Sequence, residues 1–202
     1  MIADVSSDQC EAGKVSAAYM VANSPSGKPK VAMVTGREFP IVQVREECAK
    51  EALEEAGADI VSSQEIRSAN IATQGPSMAS ALLTQYPEGQ LEYIWAPYDA
   101  AALFLANGVE SSGREDVHIT GFDANVPNLE MIASGGPEVA TVGSPLEWAG
   151  WAAIDELNRS FDGESTEVSY GIPIQLYTEE NAANPKPPLD YQSEFEKLWG
   201  VG

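Results

Sequence analysis

The chain has 202 residues, of which 31 are acidic and 11 basic, so its formal net charge is -20. Nucleic acid and anionic membrane surfaces repel a chain of this charge, which argues against both as partners. No apolar run reaches the roughly 18 residues that span a bilayer, and the acidic first residues lack the basic segment of a signal peptide.

Short apolar strands alternate with amphipathic helices along most of the chain. The predicted strands occupy 30–35, 59–62, 92–96, 116–120 and 138–142, and they are rich in β-branched or aromatic residues, as strands buried on both faces are. The predicted helices occupy 15–21, 44–56, 71–83, 99–107 and a stretch beginning near residue 126, with apolar residues at three- and four-residue spacing. Gly57 and Gly108 stand where two of these helices are expected to end.

This alternation predicts an α/β fold built on a doubly wound, five-stranded parallel sheet with helices on both faces. With the strands numbered along the chain, we expect the order 2-1-3-4-5. Ligands of such sheets bind at the carboxyl ends of the strands. The segments at that edge are 36–45, 66–70, 97–99, 122–125 and 143–145.

The pattern changes after residue 144. A predicted helix over 145–158 carries Trp148 and Trp151, a strand-like stretch follows at 170–177, and residues 181–188 form a proline-rich linker before a short helix at 191–199. The strand has no evident place in the five-stranded sheet, so we expect a C-terminal helix–strand appendage. Bare tryptophans and an unpaired strand edge are features that proteins avoid, which predicts a homodimer through 145–177. The alternatives are that this segment folds back onto its own sheet or is disordered.

Few residues offer catalytic or metal chemistry. The only histidine, His118, lies in an apolar strand without a second histidine or a cysteine nearby, so neither a zinc site nor a histidine-based catalytic pair is expected. The glycines match no phosphate-binding loop, so no nucleotide or other cofactor is predicted. The sequence therefore favours a binding protein over an enzyme.

The two cysteines, Cys10 and Cys48, are both expected on helices beside the first predicted strand. In an exported protein they would meet an oxidising compartment and could form a disulfide bond. The alternative is two small buried residues. A Cα–Cα distance well beyond about 7 Å would exclude the bond.

Polar and aromatic residues at the predicted carboxyl edge are candidates for ligand binding. Arg45 either donates hydrogen bonds from its guanidinium to a ligand or pairs with a neighbouring glutamate. Asp123 either accepts hydrogen bonds from two hydroxyls of one sugar or caps the helix that begins near residue 126. Phe122 and Tyr98 either stack on a sugar ring or belong to the core and the wall of the site.

Several segments, in order along the chain, resemble the later part of the ribose-binding family of periplasmic proteins, whose ligand domain is shared with lactose-repressor regulators. Each segment alone is weakly specific, but their order and spacing cover nearly the whole chain. The segments are 7–9 with 13–14, 34–36 with 44–46, 84–87 with 93–100, Ile119-Thr-Gly-Phe-Asp123, 140–144 with 148–150, and 174–178.

The resemblance implies a periplasmic-type fold that clamps a sugar between two lobes. By position, Arg45 and Asp123 match residues of the family that contact the sugar. Tyr98 stands where ribose binders often have asparagine and Ser144 where they often have glutamine, which leaves the sugar open. Asn70 lies near a further contact position.

The resemblance also implies a division of the chain and its partners. Residues 1–144 match the second lobe, residues 145–177 match a segment that belongs with a first lobe missing here, and residues 178–202 are a linker and a C-terminal helix. The implied partners are a monosaccharide or polyol and the membrane permease of an ABC importer, and the implied location is periplasmic or extracellular, including a cell-surface lipoprotein. The signal segment is then expected outside this chain.

Other classes remain as alternatives. The same domain serves as the effector domain of lactose-repressor-like regulators, which carry an upstream helix-turn-helix. The net charge of -20 argues against a protein that works close to DNA. An extracellular sugar sensor is a third class. A flavodoxin-like enzyme is disfavoured because no phosphate loop or catalytic pair is present.

Overall fold

The computed structural model describes residues 3–166, 169–186 and 190–201. Parts of the predicted segments, including residues 187 and 188 of the predicted linker, lie outside the described residues. The chain forms two compact units. The sheet unit comprises Gln9–Gly143 and Leu176–Pro185, and the aromatic unit comprises Met1–Asp8, Ser144–Gln175 and Lys186–Gly202.

A six-stranded sheet organises the sheet unit. The strands in chain order are β1 (Asp4–Ser7), β2 (Lys30–Thr35), β3 (Asp59–Glu65), β4 (Tyr93–Trp95), β5 (His118–Phe122), β6 (Glu138–Gly143), β7 (Ser169–Ile172) and β8 (Gln175–Thr178). Six of them form one sheet in the order β3-β2-β4-β5-β6-β8, and the pairs from β3 through to β6 are parallel. The predicted α/β fold with a doubly wound parallel sheet is confirmed.

Helices connect the parallel strands. The helices of the chain are α1 (Gln9–Asn23), α2 (Pro40–Glu55), α3 (Ile71–Gln85), α4 (Asp99–Ser112), α5 (Val126–Ala133), α6 (Leu146–Asp162) and α7 (Tyr191–Trp199), and a 3₁₀ turn lies at Ser68–Asn70. In the part of the chain that the structure describes, no helix is both long and apolar enough to cross a membrane.

The sheet is buried between helices on both of its faces. Successive side chains of a strand point to opposite faces. Ile119 of β5 belongs to a core cluster with Leu82 of α3 and Leu105 of α4. The next residue, Thr120, accepts a hydrogen bond from Ser16 of α1 at 3.3 Å, so α1 covers the opposite face.

The sheet has one strand more than the sequence predicts. The sequence favours an appendage for residues 170–177, but Gln175–Thr178 adds to the sheet beside β6, as in the alternative that the segment folds back onto its own sheet. The addition is stable because Tyr177 packs in a buried cluster with Leu129 and Ile132 of α5. Ala182 joins the same cluster, so the beginning of the predicted linker is also packed against the sheet unit.

Gly108 does not end a helix as predicted. Helix α4 continues to Ser112, and Gly113, with a φ of 71°, provides the left-handed C-cap. Gly108 instead lies where α4 crosses α3: a Cβ atom there would stand 2.6 Å from the Cβ of Ala79 and 2.8 Å from the carbonyl oxygen of Pro76. Only a residue without a side chain allows the two helices to pack this closely.

The aromatic unit has its own core. Strands β1 and β7 form a two-stranded parallel sheet, and α7 packs on α6. The ring of Trp148, 8% exposed, stacks on Tyr191 with centroids 5.5 Å apart, and Trp151 stacks on Trp199 at 5.1 Å. The argument for a dimer from bare tryptophans is therefore wrong, because the chain's own α7 covers them.

Cys10 of α1 and Cys48 of α2 form a disulfide bond, with their Cα atoms 5.1 Å apart. The bond joins helices that are already in close contact. Gly13 of α1 lies directly against the backbone of Arg45 and Ala49 in α2, and a Cβ atom at Gly13 would overlap the carbonyl oxygen of Arg45.

Candidate functional site

The predicted site lies at the carboxyl edge of the sheet. Arg45 is on α2, the helix that follows β2, and Asp123 directly follows β5. The two strands are separated only by β4, so the two side chains meet at the same edge. The structure therefore brings Arg45 and Asp123, which the sequence proposes separately as ligand contacts, close together.

Arg45 is buried, at 6% exposure, and its guanidinium is held in one orientation. Its Nε and Nη2 atoms both donate to Oε1 of Gln9, at 2.9 and 2.6 Å, and Nη1 donates to the carbonyl oxygen of Pro97 at 2.8 Å. The ring centroid of Phe122 lies 4.3 Å from Cζ of Arg45, which is a cation–π contact. The hydrogen bonds use three of the five N–H donors of the side chain.

Asp123 faces this guanidinium across a gap of 3.8 Å between Oδ1 and Nη2. Asp123 and Ala124 have φ angles of 111° and 57°, conformations that non-glycine residues adopt only at a cost. The backbone N–H of Asp123 donates to the carbonyl oxygen of Val142, which helps to hold the strained turn. Burial raises the pKa of Asp123, and the charge of Arg45 opposes that shift.

A pair of fully buried carboxyl groups lies below this turn. Asp99 accepts hydrogen bonds from the backbone N–H of Asn125 and the hydroxyl of Thr141, both at 2.7 Å, and Glu138 accepts one from Asn128 at 2.6 Å. Desolvation by burial raises the pKa of Asp99 to about 7 and that of Glu138 to about 9. The charge of Asp99 adds to the pKa shift of Glu138, so near neutral pH the two carboxyl groups together hold a proton. Asp99 also supports the strained turn through its hydrogen bond from Asn125.

Tyr98 brings a further polar atom to this edge. Its hydroxyl is buried and has no hydrogen-bond partner among the described residues. Its ring contacts Phe39 edge-on, with ring centroids 6.0 Å apart. It also packs against Gly36, where an added Cβ atom would lie 3.2 Å from Cε1 of Tyr98. Burial raises the pKa of Tyr98, and the charges of Glu38 and Asp123 add to the shift, so the hydroxyl is a neutral donor at pH 7.

Of the two roles predicted for Phe122, stacking on a sugar or packing in the core, the structure shows packing in the core. The side chain is 0% exposed, and its ring packs edge-on against Trp95 at 5.3 Å while it supports Arg45. A fully buried ring has no face left for a sugar. Its contribution to the site is to carry the guanidinium.

The contacts described for Arg45, Asp123 and Tyr98 involve neither Asn70 nor Ser144. Asn70 is exposed at the start of α3, and its contacts are local: its N–H donates to Arg67, and its carbonyl oxygen accepts from Thr73. Ser144 is the first residue of its segment of the aromatic unit. Their role in binding stays a prediction.

Sequence reasoning missed the residues that orient the site. Gln9 is 36 residues from Arg45 in the chain, and Pro97 acts through its backbone, so neither has a local signal. Glu138 did have a local signal in the sequence. A glutamate in a strand that is buried on both faces is rare unless its carboxyl group is paired. Among the described residues, no group of three or more His, Cys, Asp or Glu side chains is arranged to hold a metal ion.

Comparisons with known proteins identify the family and the fold. Residues 1–165 match the model of the family described as periplasmic binding protein domain. The ribose import binding protein RbsB of Escherichia coli (strain K12) is 22% identical over 176 residues, which are 87% of this chain and 58% of that protein. The chain therefore spans less than two thirds of the length of this relative.

Solved structures share the fold. A periplasmic ribose ABC transporter from Conexibacter woesei DSM 14684 is 24% identical with a TM-score of 0.79, over 91% of this chain and 61% of that one. An ABC transporter periplasmic solute binding protein from Actinobacillus succinogenes 130z, with bound D-allose, is 21% identical with a TM-score of 0.80. The match covers 90% of this chain and 63% of that one. Because the family model covers most of the chain, this protein belongs to the periplasmic binding protein family.

Proposed function

We propose that this chain supplies a ligand-binding lobe of the sugar-binding component of an ABC importer. The observation that carries the proposal is the pair formed by Arg45 and Asp123, in which a guanidinium faces a carboxylate 3.8 Å away. A monosaccharide or polyol offers adjacent hydroxyls, each able to donate and accept, and such a pair satisfies them together. The unpartnered hydroxyl of Tyr98 adds a neutral donor at the same edge.

The relatives support a sugar as ligand. One is named a ribose import binding protein, and another was solved with bound D-allose. We propose a role in binding alone, without turnover, because the site combines hydrogen-bonding groups with an arginine held in place and has no paired nucleophile and base. D-ribose and D-allose are the sugars with which to begin a test.

The same proposal includes a location and a transport partner. Disulfide bonds persist in oxidising compartments, so the bond between Cys10 and Cys48 supports a periplasmic or extracellular location, including that of a cell-surface lipoprotein. The partner in transport would be the membrane permease of the importer.

We further propose that the aromatic unit belongs with a second lobe. Its parallel pair of strands, β1 and β7, is only two strands wide, whereas parallel sheets are normally larger and covered on both faces. The competing proposal is a dimer through residues 145–177. Light scattering over a range of concentrations distinguishes them, because a monomer at all concentrations contradicts the dimer.

Sugar binding is tested by following backbone amide NMR signals while D-ribose or D-allose is added. We expect the shifts to concentrate at Arg45, Asp123 and Tyr98. Ligand pockets commonly bury about 70–90% of a ligand, so a single lobe is expected to bind with a dissociation constant weaker than about micromolar. A micromolar or tighter constant for the monomer would contradict the one-lobe part of the proposal.

Matched arginine substitutions provide the control. Arg45→Lys keeps the charge but loses the planar fork, so we expect binding to weaken by about tenfold or more. Arg37→Lys changes an exposed arginine of the preceding loop, which pairs with Glu46, and is expected to leave binding unchanged. Equal effects of the two substitutions, or no response to either sugar, would contradict the proposed site.

A further inference from the structure

The disulfide bond joins two cysteines that are close in the chain to Arg45 and to Gln9, one of the residues that orient its guanidinium. Gln9 holds Arg45 through two hydrogen bonds, and Cys10 is the next residue of the chain. Cys48 is three residues after Arg45, one turn further along α2. We propose that the Cys10–Cys48 disulfide is a positioning device for Arg45, so that the ligand affinity of the site depends on the oxidation state of the two cysteines.

The start of α1 explains why such a device is needed. Gln9 is the first residue of the helix, and the first turn of a helix lacks intrahelical partners for its N–H groups and frays readily. The disulfide fastens the second residue of the helix to α2. Gly13, one turn later in α1, packs against the backbone of Arg45. The disulfide and this contact therefore hold the first turn of α1 against α2 at both of its ends.

Loss of this fastening would act on the guanidinium directly. When the first turn frays, Arg45 loses the partner of both Nε and Nη2 and keeps only its bond to the carbonyl oxygen of Pro97. A buried charge that loses its partners is costly, and a shift of the guanidinium toward Asp123, 3.8 Å away, would reduce that cost. The donors that face a ligand in the oxidised protein would then be used within the protein.

Reduction of the bond is a simple, balanced step. A dithiol reductant such as dithiothreitol gives two electrons and two protons, the Sγ–Sγ bond breaks, both cysteines become thiols, and the reductant closes to its own disulfide. No covalent change occurs at Gln9 or Arg45. Any change at the guanidinium therefore reports the loss of the crosslink alone.

The first experiment needs no ligand. The Nε–H proton of Arg45 is identified in ¹H–¹⁵N spectra by its loss in Arg45→Lys, and its exchange with solvent is measured in the oxidised protein. We expect slow exchange there, and exchange faster by about tenfold or more after reduction with dithiothreitol and in the Cys10→Ser/Cys48→Ser variant. Gln9→Ala in the oxidised protein is expected to give the same increase.

A control separates positioning from general destabilisation. Leu129→Ala creates a cavity under α5, away from the disulfide, and is expected to lower the unfolding midpoint while the Arg45 signal stays protected. Unchanged exchange after reduction of the folded protein overturns the proposal. So does an equal loss of protection in Leu129→Ala.

The second experiment measures affinity and rests on the proposed function. D-ribose and D-allose are titrated into oxidised and reduced protein, and we expect about tenfold weaker binding, or more, after reduction. Adding Gln9→Ala to the reduced protein should weaken binding no further. If the oxidised protein binds neither sugar, the proposed function fails while the exchange measurement still decides the positioning role. If binding is equal in both states, the inference fails and the proposed function stands.

Discussion

The buried carboxyl pair below the site predicts how stability depends on pH. Glu138→Gln replaces a protonated carboxyl with an amide of nearly the same shape. The amide nitrogen can donate to Asp99, and the amide oxygen can still accept the hydrogen bond from Asn128. The substitution therefore removes a titrating proton and keeps the packing.

The expected magnitude follows from the raised pKa. An unfolded glutamate has a pKa of about 4.3, whereas burial raises the pKa of Glu138 to about 9, so the folded state binds the extra proton between these values. Stability then falls as pH rises through this window, by about 1.4 kcal/mol per pH unit. From about pH 5 to about pH 8 the titration of Glu138 alone should cost the wild type on the order of 4 kcal/mol, a large part of the 5–15 kcal/mol typical of a domain.

Urea denaturation followed by circular dichroism at several pH values measures this difference. We expect Glu138→Gln and the wild type to have similar free energies of unfolding near pH 5, and the variant to become the more stable as the pH rises. Glu130→Gln, on the exposed side of α5, is the matched control and should follow the wild type. Parallel curves for Glu138→Gln and the wild type would refute the assignment of a shared proton.

Further predictions concern packing and charge away from the site. Gly108→Ala should lower the free energy of unfolding by about 1–3 kcal/mol, because its Cβ would overlap Ala79 in α3. Gly150→Ala, inside α6 with open space around it, should instead raise that free energy by about 0.5–1 kcal/mol, and urea titration of both variants checks the contrast. Bonding to Arg114 lowers the pKa of Asp116 to about 2, so Asp116→Asn should lose about 1 kcal/mol at neutral pH, after allowance for solvent screening. That loss should vanish as acid titration passes from about pH 4 to about pH 2, where the wild type also loses its ion pair.

The sheet was predictable because its strands are short apolar runs between amphipathic helices, a pattern with few alternatives to parallel pairing. Strand β8 was harder to place. Its residues are only partly apolar, and what stabilises it is the contact of Tyr177 with α5, about 50 residues earlier in the chain. Gly108 shows a similar limit, since a glycine near the expected end of a helix equally suits a C-cap and a close helix crossing, and only the position of α3 decides.

In the candidate site, too, some residues could be predicted from the sequence and others could not. Arg45 and Asp123 could be found because each follows a strand at the carboxyl edge, where parallel sheets bind ligands. The partners that orient Arg45 could not, because a glutamine at a helix start and a backbone carbonyl have many ordinary roles. Phe122 was correctly placed at the edge, but its direction depends on the pleat of β5, and the structure turns its ring into the core.

The stacked rings of the aromatic unit have a consequence for spectroscopy. Three of the four tryptophans, Trp148, Trp151 and Trp199, lie in that unit, and Trp95 alone represents the sheet unit. Intrinsic fluorescence is therefore dominated by the smaller of the two units. An emission change on heating or on adding a sugar would report first on the aromatic unit, and a silent spectrum would not mean that the sheet unit is unaffected. A tryptophan-free aromatic unit, or a ¹⁹F-labelled Trp95, would be needed to observe the sheet unit by itself.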